Sequence, residues 1–373
     1  MSIYLDISAA VHHRAGLGRY AQNLAQAMQA RIPDQLAMFY NREQGIAPLP
    51  ELKSLPTRTV ALGYKPWRML IWMGQLSQVP FNRLIPGAQL FHATEHLLMP
   101  LKDIPTILTV HDLIFQHLPE HHKFLNRWYL NLTMPLYCRR ATHLIAVSEA
   151  TRQDLITTYK LPPEKVTVIY EAADPQFCPQ PQTKVEAVRA HYGLPQQFLL
   201  YVGTIEPRKN LIRLLQAWEI LYLEGKAPPL VIVGKRGWLS DNFFAALENS
   251  PVRDAVILTG YVSDEDLPAL YAAATVFIFP SLYEGFGLPP LEAMACGVPV
   301  ACSNTASLPE VVGDAAMLFN PTATEEIIQV LSKLLNNTDL REALKKRGFE
   351  RAAQFSWDRT ARETLELYQK ISK

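Results

Sequence analysis

The chain alternates between short apolar runs and longer amphipathic segments. In the first half, the apolar runs that predict strands are residues 3–8, 36–40, 90–94, 106–112, 143–148 and 166–170. In the second half they are residues 198–204, 230–234, 255–260, 275–280 and 299–303. Between them lie patterns that predict helices, at 17–31, 123–141, 149–159, 210–224, 264–273 and 289–296. Strand, crossover helix and strand in alternation predict a parallel sheet covered on both faces, and the alternation occurs twice.

A proline-rich stretch separates the two halves. Residues 174–188 carry three prolines in seven positions and predict a linker. The chain then ends in helical patterns at 324–336, 339–354 and 356–370, with Ser356 predicted as the N-cap of the last helix. We therefore expect two Rossmann-like α/β domains. Open parallel sheets bind ligands beyond the carboxyl ends of their strands, so an active site is expected in a cleft between the domains.

Length and composition agree with this prediction. A chain of 373 residues is too long for one ordinary core, and 49% apolar with 19% charged residues is typical of a globular protein. The net charge of +1 argues against a nucleic-acid partner bound by bulk electrostatics.

Cysteine usage and the N-terminal sequence predict a cytoplasmic location. The cysteines lack a CxxC spacing, and we expect reduced, mostly packed thiols at Cys138, Cys178, Cys296 and Cys302. The first residues lack the order of a signal peptide, and the uncharged run 267–283 is short for a membrane span. Residues 65–85 contain Trp, Arg, Met and Leu side chains. This composition is consistent either with peripheral membrane contact or with a core helix followed by a surface loop.

Two carboxylates stand out in the nearly uncharged stretch 281–300. Glu284 lies among glycines in a predicted loop, and Glu292 follows at the start of the helix that Pro289 and Pro290 open. Backbone N–H groups at a helix start suit an anion, and carboxylates suit sugar hydroxyls. Taken alone, Glu292 also fits a first-turn carboxylate that stabilises the helix dipole.

A pair of cations follows the first predicted strand of the second half. The strand ends at Gly203, and the next loop carries Arg208 and Lys209 just before a helix. A guanidinium and an ammonium at a strand end could neutralise a diphosphate. The alternative is a solvated pair of surface charges.

Further polar residues follow the predicted strands of the first half. Gly16 and Gly18 open a helix without the third glycine of a dinucleotide-binding motif, a weak signal. His111 ends an apolar strand and fits either a ligand contact or a satisfied core histidine. Three more residues after a strand could line an acceptor site, namely His92, Glu95 and His96.

An Asp-x-Asp string at residues 263–266 resembles the pattern of some metal-dependent sugar transferases. Ser263 as an N-cap with acids in the first helical turn is the simpler interpretation. No metal site is therefore predicted.

Taken together, these motifs resemble glycosyltransferase family 4, a retaining group with the two-domain GT-B fold. The resemblance runs through nearly the whole chain and includes "GLGRY", "TVHDL", "VGTIEPRKN", "PSLYEGFGLPPLEAMACGVPV" and "SLPEVVGDAAMLFNP". The two glutamates with seven residues between them are the family signature. One departure is "VIYEAAD" at 168–174, where many members have Asn-Gly-Val-Asp.

The resemblance implies a division of labour between two domains. Residues 1–178 would form an acceptor-binding domain and residues 179–355 a nucleotide-sugar-binding domain. Residues 356–373 would form a helix that crosses back to the first domain.

The resemblance also implies roles for individual residues. Catalytic contacts would come from His111, Arg208, Lys209 and Glu284. Donor binding would involve Gly16, Gly18, Gly203, Phe286, Gly287, Leu288 and Glu292. Within these sets, the two cations would hold the diphosphate, Glu284 the donor sugar and Glu292 the ribose.

The implied reaction is retaining hexosyl transfer without a metal ion or other cofactor. The branch resembled builds surface polysaccharides, so GDP-mannose is the expected donor and a UDP-sugar the alternative. The acceptor would be a glycan or a lipid-linked sugar. Competing interpretations are a nucleotide-sugar epimerase, an NAD-dependent oxidoreductase and a non-enzymatic sugar-binding protein. The incomplete glycine motif disfavours the oxidoreductase.

Overall fold

The computed structural model describes residues 2–43 and 49–372. These residues divide into two compact units. Unit 1 contains the described residues up to Gln116, Phe124–Glu171 and those from Ser356 onwards. Unit 2 contains His117–Lys123 and Ala172–Phe355. The acceptor-binding and donor-binding functions assigned to residues 1–178 and 179–355 stay predictions.

Unit 1 is built on a seven-stranded, fully parallel sheet. Its strands are β1 (Ile3–Asp6), β2 (Leu36–Asn41), β3 (Thr57–Val60), β4 (Leu90–Ala93), β5 (Thr106–Val110), β6 (His143–Ala146) and β7 (Val166–Val168). The spatial order is β3-β2-β1-β4-β5-β6-β7. The order reverses direction between β1 and β4, and a crevice for ligands is expected at such a switch point.

Helices cover this sheet. They are α1 (Ser8–Val11), α2 (Ala15–Gln29), α3 (Tyr64–Ser77), α4 (Ile114–His117), α5 (Phe124–Arg140) and α6 (Glu149–Tyr159). The central strands β1, β4, β5 and β6 are buried along their whole length. Their apolar side chains pack with those of the helices into one core.

Unit 2 repeats the architecture with a six-stranded parallel sheet. Its strands are β8 (Leu199–Val202), β9 (Leu230–Val233), β10 (Val256–Gly260), β11 (Val276–Phe279), β12 (Val300–Ser303) and β13 (Ala316–Phe319). The spatial order is β10-β9-β8-β11-β12-β13, so the switch point lies between β8 and β11. A second core fills this unit.

The helices of the second half complete the chain. They are α7 (Gln182–His191), α8 (Leu211–Leu223), α9 (Asp241–Glu248), α10 (Leu267–Ala273), α11 (Leu288–Ala295), α12 (Leu308–Val312), α13 (Thr324–Asn336), α14 (Thr338–Ala352) and α15 (Trp357–Ile371). The last of these packs against α2 inside unit 1.

Every strand predicted from the sequence is present, and two further strands escaped prediction. Both are edge strands: β3 is largely exposed, and β13 is half-buried over most of its length. The exposed strand β3 lacks the continuous apolar run by which buried parallel strands are recognised, whereas β13 has such a run at Ala316–Phe319 that was not predicted as a strand.

The predicted linker at 174–188 is wrong in its second half, where helix α7 begins at Gln182. Pro181 is the N-cap of α7, a position where a missing N–H costs nothing. Val185 and Val188 lie one turn apart and are both buried in the core of unit 2. The prolines therefore mark the start of a packed helix.

The four cysteines are free thiols, as predicted, with Cys138, Cys296 and Cys302 buried and Cys178 exposed. Among the helices of residues 2–43 and 49–372, none combines the length and the hydropathy that crossing a membrane requires.

The predicted N-cap of the last helix is confirmed, because Ser356 Oγ accepts a hydrogen bond from the Arg359 N–H at 3.2 Å. Trp357 beside it is buried, and Thr360 Oγ1 donates to the Tyr170 carbonyl at 2.7 Å. The start of α15 is therefore fixed to unit 1 by a cap, an apolar anchor and a hydrogen bond.

We predict that Ser356→Ala destabilises unit 1 by about 1 kcal/mol, because the first turn of α15 loses its cap. Ser356→Asp keeps a capping oxygen and should retain the stability of the unaltered protein. Urea unfolding, with hydrogen exchange of the α15 amides, measures both variants. Equal exchange rates in the Ala and Asp variants would contradict the assignment.

Candidate active site

The switch point of unit 2 brings together two loops that are distant in sequence. Strands β8 and β11 are hydrogen-bonded neighbours, so the loops that follow them leave the sheet at the same edge. The first loop carries Arg208 and Lys209, and the second carries Glu284. The Leu282 N–H donates to the Arg208 carbonyl at 2.9 Å and ties the two loops together.

Arg208, Lys209 and Glu284 form one ion cluster. Arg208 Nη1 lies 2.8 Å from Glu284 Oε2 and also donates to the Tyr283 carbonyl at 2.8 Å. Lys209 Nζ lies 2.6 Å from Glu284 Oε1, which also accepts from Ser281 Oγ at 2.5 Å. The three charged side chains are only 10–15% exposed. The structure therefore brings together three of the four residues predicted as catalytic.

A second carboxylate in this cluster was missed by the sequence analysis. Glu206 Oε1 lies 2.6 Å from Arg208 Nη2, and the side chain is 3% exposed. Glu206 Oε2 is buried without a hydrogen-bond partner among the described residues. A signal was available in the sequence, because Glu206 lies two positions before Arg208 in the loop that follows the buried strand β8. The cluster thus contains two cations and two carboxylates.

The charges of the cluster stabilise one another. Burial by itself raises the pKa of Glu284, but the neighbouring charges of Arg208 and Lys209 outweigh it and lower that pKa to about 2. Burial and the adjacent Arg208 lower the pKa of Lys209 from its ordinary value. Because the pKa of Glu284 is lowered in the folded protein, Glu284 contributes to stability at pH values above the pKa that it has in the unfolded chain. This contribution is lost as the pH falls towards 2.

Backbone geometry fixes the position of the cations. Asn210 has a left-handed φ of 58°, and its side-chain amide donates to the carbonyls of Pro280 at 3.2 Å and Pro321 at 2.7 Å. Asparagine tolerates this conformation better than most residues. Gly203 has a φ of 155°, and a Cβ there would lie 2.6 Å from Tyr201 Oη. Gly203 is therefore required by close packing at the end of β8.

The other predicted donor-binding residues lie at the start of α11. Gly287 is its N-cap with a φ of 114°, and a Cβ there would lie 2.7 Å from Leu308 Cδ2. Leu288 begins the helix, and the Phe286 carbonyl accepts a hydrogen bond from Ser307 Oγ at 2.7 Å. The N-cap Gly287 provides no side-chain hydrogen bond to the first turn of α11.

Glu292 is buried, and its Oε2 accepts a hydrogen bond from Tyr271 Oη at 2.9 Å. It lies past the first turn of α11, which contains no acidic residue. The interpretation of Glu292 as a first-turn carboxylate is therefore wrong.

A segment from the first half of the sequence also packs within unit 2. The His117 ring stacks on Tyr283 with centroids 4.7 Å apart. Trp238 Nε1 donates to the His121 carbonyl at 2.7 Å. Residues 117–123 thus place an imidazole next to the residue that precedes Glu284, which no local sequence signal indicated.

In unit 1, His111 uses both ring nitrogens. Nδ1 lies 2.9 Å from Glu171 Oε1, and Nε2 lies 2.9 Å from the Thr94 carbonyl. A carboxylate and a carbonyl oxygen are acceptors, so this pair of contacts favours a ring that is protonated on both nitrogens. Burial lowers the pKa of His111, but the hydrogen bond and charge of Glu171 outweigh it and raise the pKa above its ordinary value.

Gly16 and Gly18 lie in the first turn of α2. Gly16 has open space where a Cβ would be. A Cβ on Gly18 would lie 2.9 Å from the Ala9 carbonyl oxygen, so close packing of α2 on α1 accounts for this glycine. A ligand contact by either glycine stays a prediction.

The switch point of unit 1 carries a buried carboxylate. Glu95 follows β4, is 1% exposed and pairs with Arg14 Nη1 at 2.6 Å. Glu95 Oε1 has no hydrogen-bond partner among the described residues. Asp6 at the end of β1 is also buried, and burial with the nearby charge of Glu95 raises the pKa of Asp6 to about 7.

His92 does not belong with the residues that could line an acceptor site. It is fully buried, its Nδ1 lies 2.6 Å from Tyr368 Oη, and its Nε2 lies 2.7 Å from Thr109 Oγ1. Burial lowers its pKa to about 3, so the ring is neutral. His92 is a satisfied core histidine.

Comparison with known proteins identifies the family. The model of group 1 glycosyl transferases matches residues 186–351, and the model of glycosyltransferase family 4 matches residues 14–177. O-antigen chain mannosyltransferase B of Escherichia coli is 32% identical over 368 residues, which is 95% of each chain. The chain belongs to glycosyltransferase family 4.

Solved structures show that this glycosyltransferase has the GT-B fold, as expected. Sucrose-phosphate synthase from Thermosynechococcus elongatus superposes with a TM-score of 0.82 at 22% identity, over 100% of this chain and 99% of that one. Anabaena HepE in complex with UDP and glucose gives a TM-score of 0.76 at 17% identity, over 99% of both chains. At these identities the likeness concerns the fold alone.

The Asp-x-Asp string of this glycosyltransferase forms a turn that precedes α10. Ser263 Oγ accepts from the Asp266 N–H at 3.1 Å, but α10 begins at Leu267 with Asp266 as its N-cap and no acid in its first turn, so the prediction of Ser263 as the N-cap is wrong. Within the described part of the chain, no group of three or more His, Cys, Asp or Glu side chains is placed to hold a metal ion. A reaction without a metal ion stays a prediction.

The His111–Glu171 pair predicts a pH-dependent stability. Because the pKa of His111 is raised in the folded protein, the pair stabilises the fold fully at pH values below the pKa that His111 has in the unfolded chain. This stabilisation is lost as the pH rises through the pKa that His111 has in the folded protein. Glu171→Gln should therefore destabilise unit 1 more at about pH 5.5 than at about pH 9. Urea unfolding at both pH values measures this difference.

The matched control is Glu149→Gln, which removes a half-exposed carboxylate that pairs with Arg152 on α6. Its effect should be small at both pH values. If Glu171→Gln costs the same stability at both pH values, His111 is not an imidazolium.

Proposed function

We propose that this glycosyltransferase transfers mannose from GDP-mannose to a glycan or lipid-linked acceptor during synthesis of a surface polysaccharide. The observation that carries the proposal is the buried cluster of Arg208, Lys209 and Glu284 at the switch point of unit 2. The choice of mannose is supported by the mannosyltransferase of Escherichia coli, which aligns over 95% of the chain.

The two cations are proposed to stabilise the leaving group. Cleavage of a sugar–phosphate bond develops negative charge on the departing diphosphate, which fixed donors can stabilise without reorganisation. Lys209 Nζ makes one hydrogen bond among the described residues, to Glu284, although an ammonium has three donors. The ammonium can therefore bind phosphate oxygens while it keeps its bond to Glu284. No metal ion is needed in this scheme.

Glu206 and Glu284 hold the guanidinium of Arg208 from two sides. We infer that these carboxylates orient Arg208 before a donor binds, so that little side-chain entropy is lost on binding. Glu284 is also proposed to accept hydroxyl groups of the donor sugar, and Glu292 those of the ribose. Backbone groups of Phe286, Gly287 and Leu288 would add N–H donors at the start of α11.

We propose retention of the anomeric configuration without a covalent sugar on the protein. Glu284 has a pKa of about 2, and its oxygens are bound to Arg208, Lys209 and Ser281. A carboxylate so stabilised is a weak nucleophile. The departing phosphate oxygen would instead take the proton of the acceptor hydroxyl on the same face. Trapping of a sugar on Glu284 would contradict this scheme.

Unit 1 is proposed to bind the acceptor. His111 supplies a fixed positive charge, since both ring nitrogens donate to partners in unit 1. A doubly protonated ring cannot accept a proton, so His111 would act electrostatically rather than as a base. Gly16 and Gly18 would let the backbone at the start of α2 approach a ligand. The free thiols agree with a cytoplasmic location, which is part of the proposal.

Removing either cation should cripple turnover. We predict that Arg208→Ala or Lys209→Ala lowers kcat on the order of 100-fold or more, because one fixed donor to the leaving group is lost. Glu284 retains the other cation in each variant, so both should fold, but Arg208→Ala also leaves the buried Glu206 without its cation and should lower the melting temperature more than Lys209→Ala. Turnover is measured as sugar transfer from labelled GDP-mannose, and folding by circular dichroism.

Arg236→Ala is the matched control, since its side chain is 59% exposed and pairs with the exposed Asp241. It should leave turnover unchanged. Normal turnover in both Arg208→Ala and Lys209→Ala would refute the assignment of the cations.

The donor is tested by a thermal-shift panel of GDP-, UDP- and ADP-sugars. A ligand at about 100 times its Kd should stabilise the native state by about 2.7 kcal/mol. GDP-mannose is expected to give the largest rise in melting temperature, and Arg208→Ala should abolish that rise. A larger rise with a UDP-sugar would assign the alternative donor. Release of an altered sugar from the donor alone would instead indicate an epimerase.

A further inference from the structure

Helices α3 and α5 expose an unusual number of large apolar side chains on unit 1. Of the fifteen such side chains that are exposed in the described chain, nine lie on or just after these two helices. They are Met69, Leu70, Met73, Leu76, Val79, Phe124, Leu125, Trp128 and Leu132. Their exposed fractions run from 39% to 77%. We call this set the α3–α5 surface.

The two helices lie side by side. Trp72 of α3 meets Trp128 of α5 edge to face, with ring centroids 6.0 Å apart. The guanidinium of Arg68 lies 3.8 Å from the ring centroid of Tyr129, and Tyr129 Oη donates to the Arg68 carbonyl at 3.1 Å. The exposed side chains of both helices are therefore presented by one rigid pair of elements.

These side chains are not needed for the core. Helix α3 already buries a separate face, formed by Trp67, Ile71, Gly74 and Gln75. Helix α5 likewise buries other residues, among them Tyr129, Leu130 and Met134. An apolar patch of this extent on a rigid element marks an interaction surface.

The charged side chains within α3 and α5 are all cationic. Residues 61–94 and 124–148, which include both helices, contain six Lys or Arg and no Asp or Glu. The whole chain is nearly neutral at +1, so this is a local concentration of positive charge. Lys65, Arg139 and Arg140 are exposed. A carboxylate nearby is Glu43, which accepts from the Tyr64 N–H at 3.0 Å at the start of α3.

Apolar and aromatic side chains flanked by cations match the surface of an anionic bilayer. Leu, Phe and Met side chains enter the acyl boundary, Trp prefers the interface, and Lys and Arg contact lipid phosphates. We propose that the α3–α5 surface docks unit 1 on membranes that contain anionic phospholipids. Neither helix spans the bilayer, and the docking requires no nucleotide or sugar. The inference is therefore independent of the proposed reaction.

The test uses the full chain and sucrose-loaded vesicles. The protein should sediment with vesicles that mix phosphatidylglycerol and phosphatidylcholine and should stay in the supernatant with phosphatidylcholine alone. Leu125→Ser/Trp128→Ser should lower the membrane partition coefficient by at least about tenfold, because two large apolar side chains are lost. Lys65→Gln and Arg139→Gln should each lower it about fivefold.

Ile220→Ser/Leu223→Ser is the matched control. These side chains are 45% and 63% exposed on α8 of unit 2, and their loss should leave vesicle binding unchanged. All variants alter exposed positions and should fold at the assay temperature, although Trp128→Ser loses the ring contact with Trp72 and should lower the melting temperature slightly. A folded variant that has lost vesicle binding supports the proposal.

Two outcomes would overturn it. One is equal vesicle binding by Leu125→Ser/Trp128→Ser and the unaltered protein, or no binding by either. The other is a dimer of the unaltered protein that fails to bind vesicles and that Leu125→Ser/Trp128→Ser converts to a monomer. In that case the α3–α5 surface is an interface between two copies of the chain.

Discussion

The buried ion cluster of unit 2 is the constraint on which the candidate active site depends. Burying a charge is costly unless a partner of opposite sign lies close by, and removing one partner leaves the other uncompensated. Arg208, Lys209 and Glu284 are each at most 15% exposed and are held within 2.8 Å of an opposite charge. The loops after β8 and β11 therefore cannot move independently. The bond from the Leu282 N–H to the Arg208 carbonyl and the side-chain amide of Asn210 hold the backbones in the same arrangement.

Both sheets have charged side chains at the point where their strand order reverses. Each sheet reverses its strand order once, between β1 and β4 in unit 1 and between β8 and β11 in unit 2. Unit 2 places two cations there, which suits an anionic leaving group. Unit 1 places buried carboxyl groups there, and Arg14 compensates only part of their charge. Carboxylates suit hydroxyl groups, so the difference agrees with a donor on unit 2 and an acceptor on unit 1.

Histidines at strand ends illustrate how environment decides chemistry. His92 lies within β4, His111 directly follows the neighbouring strand β5, and both are buried. His92 meets two hydroxyl groups and burial lowers its pKa to about 3, whereas the carboxylate of Glu171 raises the pKa of His111. The surroundings favour the neutral ring of His92 and the protonated ring of His111, although the sequence around each is an apolar strand followed by polar residues. Only the partners that other strands and helices supply distinguish the two.

The sequence alone determined the parallel α/β class, the eleven strands with apolar runs and the family motifs, because periodicity and turn chemistry are local properties. It missed β3, which is exposed and lacks an apolar run, and β13, which has a short apolar run at Ala316–Phe319. It also missed α7, where proline content outweighed the spacing of Val185 and Val188. The tertiary structure decided that Glu206 joins the cations and that His117 stacks on Tyr283. It also decided that two apolar helix faces combine into one surface. Glu206 lies two positions before Arg208, so the tertiary structure decided its burial rather than its proximity. The other contacts join residues that are distant in sequence, and they depend on strand order and helix packing, which no local pattern encodes.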